Sequence, residues 1–133
     1  MEKASNRMGN AVPEAPDREK LKARTKAFAL RVMKLADSLP ASKPSTRAIS
    51  SQIVRSGASV AANYRAAQRA RSKAEFSAKI GICLEEADET QFWLELLSDS
   101  ALVKPARLAP LLQEAGELTA IFYAIRRSAR EQP

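Results

Sequence analysis

Glu85, Glu86, Asp88 and Glu89 form the only concentrated set of carboxylates in the chain. Glu85, Asp88 and Glu89 stand at i, i+3 and i+4, so on a helix their side chains converge on one face. Such a face offers hard oxygen ligands of the kind magnesium and manganese prefer. A cage for either ion needs carboxylates from a second helix, and none aligns with these. Pairing with arginines of a neighbouring helix requires nothing further and is the simpler reading. The chain has no histidine, which removes the commonest general base and transition-metal ligand. A di-iron bundle site built on Glu-x-x-His pairs is therefore not expected. Cys83 has no histidine to activate it, and its place in an apolar helical row suits buried filler. Ser56-Gly57-Ala58-Ser59 lies inside a helical period and lacks the lysine spacing of a phosphate loop. No catalytic residue, no metal site and no cofactor are expected, and the chain does not read as an enzyme.

The cations are the second candidate chemistry. The formal net charge is +7, which suits an anionic partner. Lys22 and Lys26 on the first helix, Arg69 and Arg71 about the end of the second, and Arg126, Arg127 and Arg130 at the chain's end are the candidate phosphate contacts. Without an aromatic stacking platform, binding of RNA or DNA through them is expected to be non-specific and strongly salt-dependent.

These groups must be held by helices, because alanine is plentiful, aromatics are sparse and strand-like alternation is absent. Residues 1–16 carry Gly9, Asn10, Pro13 and Pro16 without apolar period and read as a disordered tail. The bundle domain is expected over 17–130. A first helix runs from an Asp17 cap to Leu39 before Pro40, with an apolar stripe of Leu21, Thr25, Phe28, Val32, Leu35 and Leu39. A second, capped by Ser45 or Thr46, reaches about Arg69 on Ile49, Ile53, Val60, Tyr64 and Ala67. Gly57 in its middle, beside Ser56 and Ala58, suggests the close approach of another backbone. Six cations and no acid fall between Ser45 and Lys73.

Ser72-Lys73-Ala74-Glu75 is a capping box that opens a third helix to about Leu97. Phe76, Ile80, Cys83, Ala87, Thr90, Leu94 and Leu97 form its core row. Seven acids and one base lie between Ala74 and Ser100, so this helix is strongly acidic. A fourth helix is expected from Pro110 to Ala129 on Leu111, Ala115, Leu118, Phe122 and Ile125. Four such helices with short links give an all-α, antiparallel up-down four-helix bundle. No apolar run is long enough to cross a membrane and the N-terminus lacks a secretory core, so a cytoplasmic protein is expected.

On the outer face of the acidic helix, Ile82, Phe92, Trp93 and Leu96 interleave with Glu85 and Glu89. Large apolar residues outside an already filled core mark a contact surface. Self-association is expected there, the acids of one copy meeting arginines of the next, Arg65 above all.

Gln52-Ile53-Val54-Arg55-Ser56, Ser59-Val60-Ala61-Ala62-Asn63-Tyr64, Arg71-Ser72-Lys73-Ala74-Glu75-Phe76 and Glu89 carry a family resemblance. Over about Phe28 to Arg127, the chain resembles the four-helix-bundle proteins of intervening sequences in bacterial 23S ribosomal RNA genes. That resemblance implies a homopentamer without assigned enzymatic activity. A similar bundle, the accessory protein of diversity-generating retroelements, implies association with nucleic acid and a reverse transcriptase; another protein partner, with no nucleic-acid role, is the alternative. Arg65-Ala66-Ala67 and Glu85-Glu86 depart from the family pattern, and both place charge on the faces assigned to subunit contact.

Overall fold

A computed structural model describes residues 15–131. It contains four helices: α1 (Ala15–Asp37), α2 (Pro44–Ala67), α3 (Lys73–Asp99) and α4 (Pro105–Glu131). No strand occurs among the described residues. Each helix packs against the next, α4 returns to α1, and α1 and α3 stand on a diagonal of the bundle with no close approach of their backbones. Links this short force sequential helices to run antiparallel, so the chain is the expected up-down bundle. None of its helices is long and apolar enough to cross a membrane.

The apolar stripes read from the sequence meet on the bundle axis. Phe28, Val32, Ile53, Val60, Ile80, Leu94, Leu118 and Phe122 are fully buried, and Tyr64 packs tilted against Phe122 with ring centroids 5.8 Å apart. Phe76, at the rim, is only partly buried. The polar members of the stripes satisfy their hydroxyls locally. Ser56 Oγ donates to the Gln52 carbonyl at 2.8 Å, and the Thr90 hydroxyl donates across to Ser56 Oγ at 2.8 Å, tying α2 to α3. Gly57 faces α1, but the group that approaches it is the Val32 side chain rather than a backbone. A Cβ at Gly57 would lie 2.9 Å from Val32 Cγ1.

Helix ends depart from the sequence expectation in ways proline explains. The expected tail lies outside the described residues except for its last two, which begin α1. Asp17 therefore sits in the first turn, where its charge suits the helix dipole. At the other end, α1 stops at Asp37. Ser38 and Leu39 bond back to the carbonyls of Leu35 and Ala36 in a tightened turn, because Pro40 disfavours helical geometry for the residue before it. α2 begins at Pro44, with Lys43 as an N-cap that makes no side-chain cap; Ser45 and Thr46 lie inside the helix. It ends at Ala67, two residues before Arg69. α4 begins at Pro105 and continues through Pro110. Pro110 has no N–H to donate to the Ala106 carbonyl, and this lost bond falls within two turns of the start.

Ser72 caps α3 as expected, its Oγ accepting from the Glu75 N–H at 3.0 Å, while the Glu75 carboxylate accepts from the Arg71 N–H at 3.1 Å. The C-terminal end of α3 is less comfortable. Ala101, just past the Ser100 cap, has φ 63°, the left-handed conformation usually given to glycine there. Ala101→Gly is expected to stabilise the protein by about 0.5–1 kcal/mol, since relief of the Cβ strain outweighs glycine's greater unfolded-state entropy. Denaturant titration checks this as a raised midpoint with unchanged slope.

Candidate nucleic-acid interface

The bundle's connectivity gathers four element ends at one pole: the start of α1, the end of α2, the start of α3 and the end of α4. A cleft of about 760 Å³ opens there. Arg18 and Lys22 come from α1, Arg65 from α2, Arg69 and Arg71 from the link, and Lys73 from the first turn of α3; Glu19 is the one acid in the lining. The floor is apolar, made by Tyr64, Ala67, Phe76, Ile125 and Ala129. Burial pushes the Tyr64 phenol up to about 12, against a smaller opposing pull from Arg18, so it stays a neutral hydroxyl in this basic setting.

Arg18, Lys22, Arg65, Arg69 and Arg71 are available to a ligand. Arg71 makes only a long i, i+4 pair with Glu75 at 3.9 Å, its own side chain almost wholly exposed; a pair of that kind is readily exchanged for a ligand contact. Arg18, Lys22, Arg65 and Arg69 form no ion pair among the described residues.

Around the end of α4 lies a second depression of about 470 Å³, lined by Leu84, Tyr123, Arg126, Arg127, Arg130 and Glu131. Arg126 lies flat against α3, where a Cβ on Gly81 would meet its Cζ at 2.9 Å, and its buried Nε has no partner. Arg127 pairs with Glu131 at 3.3 Å. Ile125 and Ala129 line the first cleft while Arg126 and Arg130 line the second, so the last turns of α4 separate two adjoining basic concavities.

Of the seven cations singled out in the sequence, Lys22, Arg69 and Arg71 meet in the cleft, and Arg126, Arg127 and Arg130 meet in the depression beside it. Lys26 is exposed one turn beyond Lys22 and lines neither. Arg18, Lys73 and Phe76 were not anticipated as site residues. The spacing of Arg18 four residues before Lys22 is a signal for the first, since both must share a helical face. Arg65, expected at a subunit contact, lines the cleft.

The acidic face of α3 pairs with the neighbouring helix α2, the simpler of the two readings of its carboxylates. The arginine that meets it is Arg55 of the same chain, bridging Glu86 at 3.2 Å and Glu89. Glu89 Oε2 also accepts from Trp93 Nε1 at 2.9 Å. Donation by Trp93, then by Arg55, holds the Glu89 carboxyl below the usual range. Arg24 makes the equivalent bridge from α1 to α4, forking onto Glu114 at 2.7 and 2.8 Å and onto Glu117 at 2.6 Å. Each arginine thus spans a Glu-x-x-Glu pair on the adjacent helix. Glu85 and Asp88 remain exposed, and no cluster of three or more metal-ligating side chains suited to an ion occurs among the described residues. Cys83 is fully buried against the Val60 carbonyl, and burial pushes its thiol up to about 12.

Beside Glu89, Phe92 packs edge-on to Trp93 with centroids 5.0 Å apart, yet Phe92 remains 49 % exposed and Leu96 36 %. Ile82 is half-buried. A further exposed pair, not anticipated, lies on the diagonal helix: Leu30 at 57 % and Met33 at 43 % on the outside of α1.

The sequence model for the 23S rRNA-intervening sequence protein matches residues 19–124. Among solved structures, the chain is similar to a protein of unknown function from the S23 ribosomal protein family of Bacteroides thetaiotaomicron VPI-5482. The two share 32 % identity at a TM-score of 0.76, over 83 % of this chain and 97 % of that one. No curated protein matches.

Proposed function

Because this chain belongs to the family of 23S rRNA-intervening sequence proteins, whose structural relative is itself of unknown function, we propose that it is a non-enzymatic, homo-oligomeric scaffold that binds RNA or DNA through the basic pole. The observation that carries this reading is the cleft where six cations and one acid converge from α1, α2, α3 and the link between α2 and α3. Charge of one sign gathered in a concavity concentrates its field and attracts polyanions. The absence of histidine from the sequence and the buried, neutral Cys83 weigh against nucleophilic or general-base chemistry.

Self-association is the second part of the reading. The outer face of α3 presents Phe92 and Leu96 among Glu85, Asp88 and Glu95, whereas the outer face of α1 presents Leu30 and Met33 among Lys26, Arg31 and Lys34. The two patches complement each other in charge, which favours a heterologous contact between successive copies. A closed pentamer is the assembly the family resemblance implies.

The test of the nucleic-acid reading is a mobility or anisotropy titration with a single-stranded oligonucleotide across a salt series. With five cations, Arg18, Lys22, Arg65, Arg69 and Arg71, neutralising phosphates, affinity is expected to fall by about 10²–10³-fold between 50 and 200 mM salt. Absence of binding even at the lowest salt would overturn this and favour an acidic protein partner.

A further inference from the structure

A row of arginines on a convex face is enough to track a phosphate backbone, and it needs neither a cavity nor an apolar floor. The cleft at the basic pole has both. At about 760 Å³ it falls within the size range of small-molecule sites. Its lining includes half-buried Phe76, an aromatic ring that shares the cleft with Arg65, Arg69, Arg71 and Lys73. An aromatic surface beneath a cationic rim has the two features that recognise one nucleotide: a π-face for the base and positive charge for its phosphate. A paired base cannot leave its stack without cost, so a site of this form discriminates against duplex.

From these features we propose that the cleft takes one unstacked nucleoside phosphate, its base against Phe76 and its phosphate on the cations of Arg69 and Arg71, so that the protein prefers unpaired strands to duplex. This deepens the nucleic-acid reading and rests on it for the case where the nucleotide belongs to a strand. The same chemistry describes a free nucleotide, and the experiment separates the two.

Four probes titrated into the full chain by calorimetry test the proposal: a 12-nucleotide single strand, an abasic strand of the same length and charge, adenosine 5′-monophosphate, and ribose 5-phosphate. The intact strand is expected to bind at least tenfold more tightly than the abasic one. Phe76→Leu, which keeps an apolar side chain under the cleft, is expected to remove that difference and leave abasic binding unchanged. The double variant Arg69→Ala, Arg71→Ala is expected to weaken both strands. Equal binding of the two strands by the wild-type chain, with Phe76→Leu silent, would overturn the proposal and leave binding through charge intact. Binding of adenosine 5′-monophosphate but not ribose 5-phosphate, with neither strand bound, would support the cleft as a free-nucleotide site and overturn the nucleic-acid reading. Binding of none of the four would overturn both.

Discussion

Gly57→Ala is expected to lower the free energy of unfolding by about 2 kcal/mol, although alanine inside a helix is ordinarily favoured over glycine by about 1 kcal/mol. The sign is decided by Val32. A Cβ at position 57 would lie 2.9 Å from Val32 Cγ1 and 3.1 Å from both Cβ and Cγ2. Val32 is fully buried, and a β-branched side chain in a helix has one strongly preferred rotamer, so it cannot turn aside. Relief must come from separation of α1 and α2, which loosens contacts along both. Val32→Ala alone should cost about 2 kcal/mol through lost burial and the cavity it leaves. In the double variant the new Cβ at position 57 enters that cavity. Its destabilisation should therefore fall short of the sum of the single effects by about 1–2 kcal/mol. Urea titrations of the four proteins at one fixed protomer concentration read this coupling directly. Additive effects would mean that Val32 is not what forbids a side chain at Gly57.

The helical stripes were legible because period and burial are the same information: Leu21, Phe28, Val32, Ile53, Val60 and Phe122 are spaced by turns, and all are buried. The Ser72 cap was legible because its chemistry is local. Helix ends at proline were less so. A proline that starts a helix and one tolerated in its second turn look alike in sequence, and Pro105 and Pro110 each satisfy the rule for a start. Gly57 announced a close approach without saying whether a backbone or a branched side chain would arrive. The cleft was hidden for a different reason. Arg18 and Lys22 are more than forty residues from Arg65, Arg69 and Lys73 in the sequence, and only the up-down topology closes that distance.

The same topology explains where the net positive charge resides. The acids of α3 and α4 are partly neutralised by Arg55 and Arg24, each held across a Glu-x-x-Glu pair. The cations outside these bridges are divided. Arg18, Lys22, Arg65, Arg69 and Arg71 meet in the cleft at the pole. Lys26, Arg31 and Lys34 lie on the outside of α1, and Lys43, Arg47, Lys104 and Arg107 stand at the opposite helix ends. Composition alone gives a basic protein; the topology gives it a concave pole where basic residues from several elements share one lining.

Under the proposed self-association, Phe92→Glu combined with Leu96→Glu is expected to leave only monomers at micromolar concentration with helicity unchanged, because both side chains are exposed in the folded chain. The pair Leu30→Glu, Met33→Glu on α1 should do the same. An isologous contact of α3 on α3 would bring Glu85, Asp88 and Glu95 of two copies together, and like charges at an interface are strongly disfavoured. Seating the α3 patch on Leu30 and Met33 places those acids near Lys26, Arg31 and Lys34 instead. The two contacts are separable by mixing. The α3 variant keeps an intact α1 face, and the α1 variant keeps an intact α3 face, so a heterologous contact allows the mixture to form one interface and stop at a dimer. Sizing of each variant alone and of the equimolar mixture reads the outcome. An oligomer that survives Leu30→Glu, Met33→Glu would show that α1 is not the partner of α3. A wild-type chain that is already monomeric would remove self-association altogether. Because α1 and α3 lie on the diagonal of the bundle, a heterologous contact between their outer faces closes into a ring only if successive copies are rotated; without that rotation it propagates as a filament. A single discrete wild-type species over a range of concentrations marks the ring, and continuous growth marks the filament.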